Sequence, residues 1–357
     1  MSNDNDEVLD SIPSDKPSSP SDTKPLVVMT PQQQLRTIVR GAYDIQMLRI
    51  QMGNRIVAQY KAKLGQKPST KEADLDKEST KILDQLRAEY KKLMDGVKKV
   101  RLATFKATPL ISNFTEFSLL MNYLDLEQSE KSHFTNLGKI LEDFEIYTKF
   151  LEPIMGIGPA IAGVIISEID IVKAEYPSSL WQYAGLGVES DGRGTSRRKE
   201  HQIEIAYKDK DGKDATRMGI HFNPFLKTKL MGVLTGSFLK AGLVVKKEDK
   251  RDEKGNLVLK ADGTPERVKV LDADGNTVYE RQKCSKYALN YLDYRHRLRH
   301  TPSWADKTKG HIHNASMRYM IKRFLVDLHI FWRGLAGLVV ATEYSEGKLG
   351  MKHGEAK

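Results

Sequence analysis

Two glycines near the middle of the chain lie in a segment whose residue types suit phosphate binding. Gly156 and Gly158 flank Ile157, and Pro159 follows where proline favours the first turn of a helix. Glycine permits close backbone approach, Ile157 can anchor the turn in a core, and free N–H groups at a helix start bind phosphate without reading bases. Residues 155–159 therefore predict a helix-hairpin-helix turn in which Gly156, Ile157 and Gly158 contact a nucleic-acid backbone. An ordinary tight turn between two helices is the alternative.

A polar loop rich in glycine and arginine, residues 189–199, follows this segment. Its serines, Ser190 and Ser196, are candidate nucleophiles, although a serine in a basic loop more often contacts phosphate or solvent. Cations in and after the loop are predicted to contact the phosphate backbone, where they release counterions whatever the base sequence. These are Arg193, Arg197, Arg198, Lys227 and Lys229.

The order of these segments resembles the C-terminal domain of the insertion-sequence transposases usually called the IS-one-ten family, which are similar to Piv-type DNA invertases. The resemblance rests on the glycine turn, Asp170-Ile171, the stretch from Trp181 to Leu186, and the Ser/Gly/Arg loop. It covers about residues 150–240 and 285–340. In that family this domain follows an N-terminal RNase H-like domain with four acidic residues and a coiled coil. The resemblance implies DNA strand exchange in which a serine of this domain takes part. It also implies a structured RNA that guides both DNA sites.

The chain also departs from this family. Residues 26–150 predict helices with no strand bearing a catalytic Asp, so we expect the acidic domain to be absent. No cofactor is then predicted, and Mg²⁺ would enter only if a partner supplied the carboxylates. Ser190 is the nearest positional match to the family's serine and Ser196 is the alternative. The sequence motif that usually follows in the family is altered here, at residues 217–225.

The last third of the chain adds interleaved basic and aromatic residues. Arg297, Lys309 and His311 are predicted to contact nucleic acid, since arginine, histidine and tyrosine suit phosphate and stacking contacts. The four histidines nearby, His296, His300, His311 and His313, have no carboxylate or cysteine at motif spacing, so no metal site is predicted. A calcium loop at residues 270–281 is also rejected, because Val270 and Arg281 occupy ligand positions.

Caps and apolar spacing predict the helices. A capping box at residues 30–33 starts a long helix that Gly65 and Pro68 end near Leu64. A second helix over residues 69–105 has apolar residues at coiled-coil spacing, namely Leu83, Leu86, Tyr90, Leu93, Val97 and Val100. Basic residues beside this seam predict a solvated surface; they are Lys91, Lys92, Lys98, Lys99 and Arg101. Short helices are expected at residues 113–126 and 129–150.

Strand patterns are sparse. One strand is predicted at residues 203–207 with a turn after it, and a charged β-hairpin at 246–282 with glycine turns at 254–256, 261–263 and 274–276. The helix after Asn314 is predicted to bury an apolar stripe, consisting of Met317, Met320, Ile321, Phe324, Leu325, Leu328, Phe331 and Trp332. Basic residues on its other face are expected to extend a basic surface; they are Arg318, Lys322 and Arg323.

Composition limits the binding partners, the cysteine chemistry and the cellular location that we expect. The chain has 57 Lys and Arg against 47 Asp and Glu, a net charge of +10, which favours polyanionic partners. The single Cys284 excludes a disulfide framework and a cysteine-based zinc site. We expect no membrane span and no signal peptide, and a bacterial cytoplasmic location at the nucleoid.

The predicted fold class is mainly α, with an N-terminal antiparallel helical hairpin (a coiled coil) followed by an α-helical helix-hairpin-helix domain with a small β-hairpin insertion. The expected segments are a disordered acidic tail (1–25), a helical arm (26–112), the transposase-like domain (113–245), the insertion (246–282), C-terminal helices completing the domain (283–340) and a flexible tail (341–357).

The predicted function is backbone binding of DNA or structured RNA in transposition or recombination, by a homo-oligomer formed through the arm. One alternative is an active serine recombinase. The other is a non-enzymatic helical scaffold whose positive charge is incidental.

Overall fold

The first long helix begins and ends where its capping residues predict. In the computed structural model, which describes residues 28–70, 74–82, 84–85, 88, 111–273 and 275–341, helix α1 covers Pro31–Lys63. The Thr30 hydroxyl accepts the Gln33 amide at 3.3 Å, and the Gln33 side chain accepts the Thr30 amide at 2.9 Å. Gly65 follows at a φ of +72°. The capping box and the glycine stop are confirmed.

Helix α1 packs antiparallel against helix α2 (Phe114–Leu141). Lys63 pairs with Glu116 at one end, and Tyr43 meets Phe134 edge-on at 5.6 Å near the other. The prediction of separate helices at residues 113–126 and 129–150 is wrong, because no glycine or proline interrupts 127–130 and Arg49 of α1 holds the Glu130 carboxylate on the shared face.

Most of the predicted second helix of the arm lies outside the described residues. Residues 77–82 are helical, but the seam from Leu83 to Val100 and the lysines beside it are not described. The predicted acidic tail at 1–25 and residues 342–357 also lie outside the described part. The arm hairpin and the dimer that it would form stay predictions.

Helix α3 (Pro159–Glu168) occupies the centre of the core. Every residue from 161 to 168 is buried, which explains why this helix shows an unbroken apolar run rather than an amphipathic stripe. A Cβ at Gly163 would lie 3.0 Å from both Leu137 and Val39. The absence of a side chain at Gly163 therefore lets α1 and α2 approach α3 closely.

The remaining helices enclose the other side of α3. Helix α4 covers Pro177–Tyr183, and a helical rod is formed by α5 (Pro224–Thr228), a π turn (Lys229–Leu234) and α6 (Thr235–Gly242). Helix α7 (Lys286–Arg299) packs along α8 (Lys309–Leu335). Shorter turns are a π turn at Tyr147–Leu151 and 3-10 turns at Lys199–His201, Arg281–Lys283 and Pro302–Trp304.

The apolar stripe of α8 forms much of the C-terminal core. Met320, Ile321, Phe324, Leu325 and Leu328 are buried, as predicted. Phe331, at the end of the stripe, is 37% exposed. Among the described residues, every helix is too short or too polar to span a lipid bilayer.

The strands form two small antiparallel sheets in the described part of the chain. Strand β1 (Ile203–Lys208) pairs with β2 (Asp214–Gly219), which confirms the predicted strand and its turn. Strand β3 (Lys247–Asp249) pairs with β4 (Arg267–Lys269) in the charged insertion. Gly255, Gly263 and Gly275 have φ of +84°, +78° and +74°, so each predicted turn has a glycine in the left-handed region.

Candidate nucleic-acid interface

Both candidate serines and three of the predicted cations, Arg193, Arg197 and Arg198, lie in a compact loop after α4, residues 187–201, named here the arginine loop. Its tip is a tight turn in which the Glu189 amide donates to the Arg193 carbonyl at 2.8 Å and Gly192 has a φ of +74°. Ser190 is exposed at this tip. The turn returns the chain toward its start, so residues 188 and 194 form a bridge.

The base of the arginine loop is held by a residue from the far end of the chain. Arg318 of α8 donates to the Gly187 carbonyl at 3.0 Å, and its guanidinium lies where a Cβ at Gly194 would be. Burial lowers the pKa of Arg318. The prediction that Arg318 extends an open basic surface is wrong, because the polar face of α8 meets this loop.

Ser196 and His201 face each other across the loop. The His201 Nδ1 atom lies 3.0 Å from the Ser196 amide nitrogen and 2.9 Å from the Ser196 hydroxyl. Because an amide can only donate, Nδ1 is the unprotonated acceptor and the ring proton is assigned to Nε2. Nε2 lies 3.2 Å from the Asp191 carboxylate, to which it donates. Ser196, His201 and Asp191 therefore form one hydrogen-bonded chain.

The three hydrogen-bonded residues differ in their exposure to solvent. His201 is 4% exposed, whereas Ser196 is half-buried and Asp191 lies at the surface. The Arg193 amide first, and then the hydrogen bond from His201, hold the pKa of Asp191 below its ordinary value. The carboxylate is thus kept ionised beside a buried imidazole, whose neutral Nδ1 faces a serine hydroxyl.

A group of cations lies beside Ser196. Lys227 of α5 donates to the carbonyl of Thr195, and its ammonium lies 4.6 Å from the centre of the Phe222 ring. Burial first, then the charges of Arg318 and Arg197, lower the pKa of Lys227 from 10.5 to about 8, and Glu189 offsets part of this shift. Lys227, Arg197 and Arg318 are named here the cation cluster.

The other cations predicted to contact phosphate are distributed less compactly. Arg193 and Arg198 are exposed on the arginine loop, with Arg193 Nε 4.0 Å from Asp191. Lys229 is not part of the cation cluster, because its ammonium lies 3.4 Å from the centre of the Tyr43 ring of α1. Burial lowers the pKa of Lys229 as well.

The glycine turn has the local geometry that the sequence predicted. Gly156 has a φ of +98°, Ile157 is 8% exposed, and Gly158 is the N-cap of α3 without any capping side chain. The Ile157 amide donates to Ile154, but within the described part of the chain neither the Gly156 nor the Gly158 amide has a protein acceptor. Gly158 is exposed and Gly156 is half-buried, so the two N–H groups are candidates for binding a ligand.

The two glycines are not equivalent. The Gly156 carbonyl accepts the Ser237 hydroxyl of α6 at 2.6 Å, and a Cβ at Gly156 would lie 3.1 Å from the Ser237 carbonyl oxygen. A Cβ at Gly158 would meet nothing within 4 Å. A side chain at Gly156 would strain the fold, so Gly158 is the better position at which to test phosphate binding.

Arg297, Lys309 and His311 lie on the α7–α8 pair. Arg297 lies 4.6 Å from the Tyr294 ring centre, which stacks on Tyr319 at 4.2 Å. Lys309 and His311 are exposed in the first turn of α8. Arg318 of α8 connects this pair of helices to the arginine loop through its bond to Gly187.

The four histidines do not converge. The rings of His296 and His300 lie 4.2 Å apart at a tilt of 33° at the C-terminal end of α7, while His313 bonds to the Tyr291 hydroxyl at 2.7 Å. Among the described residues, no group of three or more His, Cys, Asp or Glu side chains is placed to hold a metal ion.

Sequence reasoning missed three candidate residues. His201 and Asp191 were not selected, although their closeness to Ser196 in the sequence is a usable signal. Arg318 was assigned to solvent. Its contact with Gly187 joins residues far apart in the chain, and helical periodicity cannot show which polar face meets another segment.

Comparison of the chain with protein-family models, curated proteins and solved structures finds no match. The case for a function therefore rests on the residues and on the geometry above.

Proposed function

We propose that the chain binds the phosphate backbone of nucleic acid at the arginine loop and takes part in DNA transposition or recombination. The observation that carries this proposal is the cation cluster, in which Lys227 bonds to the Thr195 carbonyl and Arg318 to the Gly187 carbonyl of the loop that carries Arg197. Like charges brought together by a fold favour an anion at that place, since a bound anion offsets their repulsion.

Phosphodiester is the anion that suits this cluster. Three long cationic side chains at one loop contact backbone phosphates and carry no preference among bases. Two of them, Lys227 and Arg318, bond to loop carbonyls and are thereby oriented before a ligand arrives. Arg193 and Arg198, which are exposed on the same loop, extend the positive surface.

The open amides of Gly156 and Gly158 supply a second contact. The rod from α5 to α6 carries Lys227 near one end and, ten residues later, Ser237, which bonds to Gly156. This separation corresponds to roughly 15 Å along a helix axis. A backbone that contacts both places would span a few nucleotides. The resemblance to transposases supports recombination as the process.

A matched pair of substitutions at Gly158 tests the second contact. Gly158→Asp and Gly158→Asn both place a capping side chain before α3 without a clash, so both variants should fold. The aspartate also places a negative charge where the phosphate would lie. We expect Gly158→Asp to lose affinity for a labelled DNA duplex, or for a structured RNA, well beyond the loss in Gly158→Asn.

Salt dependence tests the cation cluster. The logarithm of the binding constant should fall linearly with the logarithm of salt concentration, and Lys227→Met should reduce the slope by about one unit. Affinity that is indifferent to salt, and unchanged in both Lys227→Met and Gly158→Asp, would instead establish the alternative of a helical scaffold with incidental charge.

A further inference from the structure

We propose that Ser196 is a nucleophile toward phosphodiesters, with His201 as the base that takes its proton and Asp191 as the residue that positions the imidazole. The choice of a phosphodiester rests on the proposed function. The identification of the serine and of its base rests on the hydrogen-bonded chain within the arginine loop.

The geometry favours Ser196 over Ser190. The Ser196 hydroxyl lies 2.9 Å from an unprotonated imidazole nitrogen, which also accepts the Ser196 amide, and the opposite ring nitrogen donates to a carboxylate at 3.2 Å. A serine hydroxyl is a weak nucleophile until an adjacent base of this kind removes its proton. Ser190 is exposed at the tip of the turn, and no base contacts its hydroxyl in the described part of the chain.

The surroundings of Ser196 suit a charged transition state. Lys227 bonds to the carbonyl of the preceding residue, and Arg197 follows Ser196 directly. Phosphoryl transfer spreads negative charge over the equatorial oxygens, and cations fixed in advance stabilise that charge. The buried face of His201 keeps water from one side of the imidazole.

The reaction step is balanced without an outside oxidant or energy source. The Ser196 oxygen bonds to phosphorus as its proton passes to His201 Nδ1, and the resulting imidazolium is stabilised by Asp191. The bond from phosphorus to one bridging sugar oxygen breaks, and that oxygen takes up a proton from water; the hydroxide that remains takes the proton of the imidazolium, which returns His201 to its neutral form. The product is a phosphoserine ester and a free hydroxyl end. Attack by a hydroxyl end on the ester reverses the step and rejoins a strand.

A purely structural role is the competing explanation. His201 is buried and also accepts the Ser196 amide, so it would hold the loop in shape even without catalysis. A readout is therefore needed that reports the hydroxyl directly and does not depend on DNA.

A small phosphonyl fluoride provides this readout, because attack on its phosphorus releases fluoride and leaves a stable adduct that mass spectrometry locates. We expect adduct on Ser196 and not on Ser190. His201→Gln should slow labelling by at least about 100-fold, the range that general-base catalysis supplies. Ser190→Ala is the matched control and should be labelled at the parent rate.

Asp191→Asn separates positioning from loop structure. The Asp191 side chain is 39% exposed, so this variant should keep the thermal unfolding profile of the parent. Asp191 is the charged group that contacts the ring, with Arg193 4.0 Å from its carboxylate. Loss of that carboxylate should slow labelling of Ser196, because the imidazolium that forms when His201 takes the proton loses the anion that stabilises it.

The proposal is overturned by labelling of Ser196 no faster than of Ser190, and equally by unchanged labelling in folded Asp191→Asn together with His201→Gln. DNA binding is measured separately on the parent protein. DNA binding without labelling refutes the nucleophile and leaves the binding function standing. Labelling of Ser196 without DNA binding supports the activated hydroxyl and refutes the phosphodiester partner.

Discussion

Raising the pH through about 8 should weaken nucleic-acid binding, because it removes the charge of Lys227. Burial first, then the neighbouring arginines of the cation cluster, lower the pKa of this ammonium from 10.5 to about 8. An ordinary lysine stays charged across this range. A bound phosphate supplies the opposite charge that the site lacks, so the amine should take up a proton when the complex forms.

The size of the effect follows from that pKa. With a pKa of about 8, about nine-tenths of Lys227 is charged near pH 7 and about one-tenth near pH 9. If phosphate binds the ammonium form alone, affinity should fall about tenfold over this interval, which corresponds to about 1.4 kcal/mol. Near pH 8, each binding event should take up about half a proton.

Isothermal titration calorimetry of a DNA duplex provides the measurement. Titrations near pH 8 in two buffers with different ionisation enthalpies report the number of protons taken up. Lys227→Arg keeps a charge over the whole range and Lys227→Met has none, so neither side chain should take up a proton. Equal uptake in the parent and both variants, or affinity that stays flat from about pH 7 to about pH 9, would refute this assignment of Lys227.

Unfolding cannot explain weaker binding at higher pH, because the stability of the folded protein should increase as the pH rises. The pKa of Lys227 is about 8 in the folded protein and 10.5 at its ordinary value, so the unfolded chain binds more protons between these limits. The free energy of unfolding should therefore rise with pH in that window while binding weakens. Thermal unfolding curves at the same pH values check this sign.

Three further predictions concern the framework of the site. Glu168→Ala should lower the free energy of unfolding by about 3 kcal/mol in urea denaturation, because this fully buried carboxylate accepts hydrogen bonds from two arginines of α1 and from the side chain of Asn223. Gly163→Ala should lower the free energy of unfolding by about 1–3 kcal/mol, since its Cβ would press on α1 and α2. Its control is Gly41→Ala, in open space on α1, which should instead stabilise the protein by about 0.5–1 kcal/mol in the same assay. Ser237→Ala removes the hydrogen bond to the Gly156 carbonyl and should lower the free energy of unfolding by about 1 kcal/mol. It should also weaken DNA binding without changing the circular dichroism spectrum. Unchanged binding would show that α6 does not position the glycine turn.

Local physics made several elements predictable from sequence. The hydrogen bonds of the capping box involve only residues 30–33. The turns with positive-φ glycines at 255, 263 and 275 depend on only two or three neighbouring residues each. The glycine turn at 155–159 was predicted for the same reason, since its backbone angles and its proline are properties of adjacent residues. The apolar stripe of α8 has a helical period and could be recognised without its partners.

The helix boundary near residue 128 could not be predicted in this way. Separate helices were predicted at 113–126 and 129–150, but Glu130 bonds to Arg49 and Gln46 of α1, and this packing supports one continuous helix from Phe114 to Leu141. Propensity is a weak guide wherever a second helix supplies the stabilising contacts.

The sequence by itself determined a basic, mainly helical chain with a glycine turn and a loop containing two serines and several cations. Only the tertiary structure selected among them: it placed His201 against Ser196 rather than a base against Ser190, kept Lys229 on Tyr43, and joined Arg318 to the arginine loop. The physical reason is that hydrogen bonding and charge coupling act over a few ångströms of space, and closeness in space is set by core packing that residue order does not display.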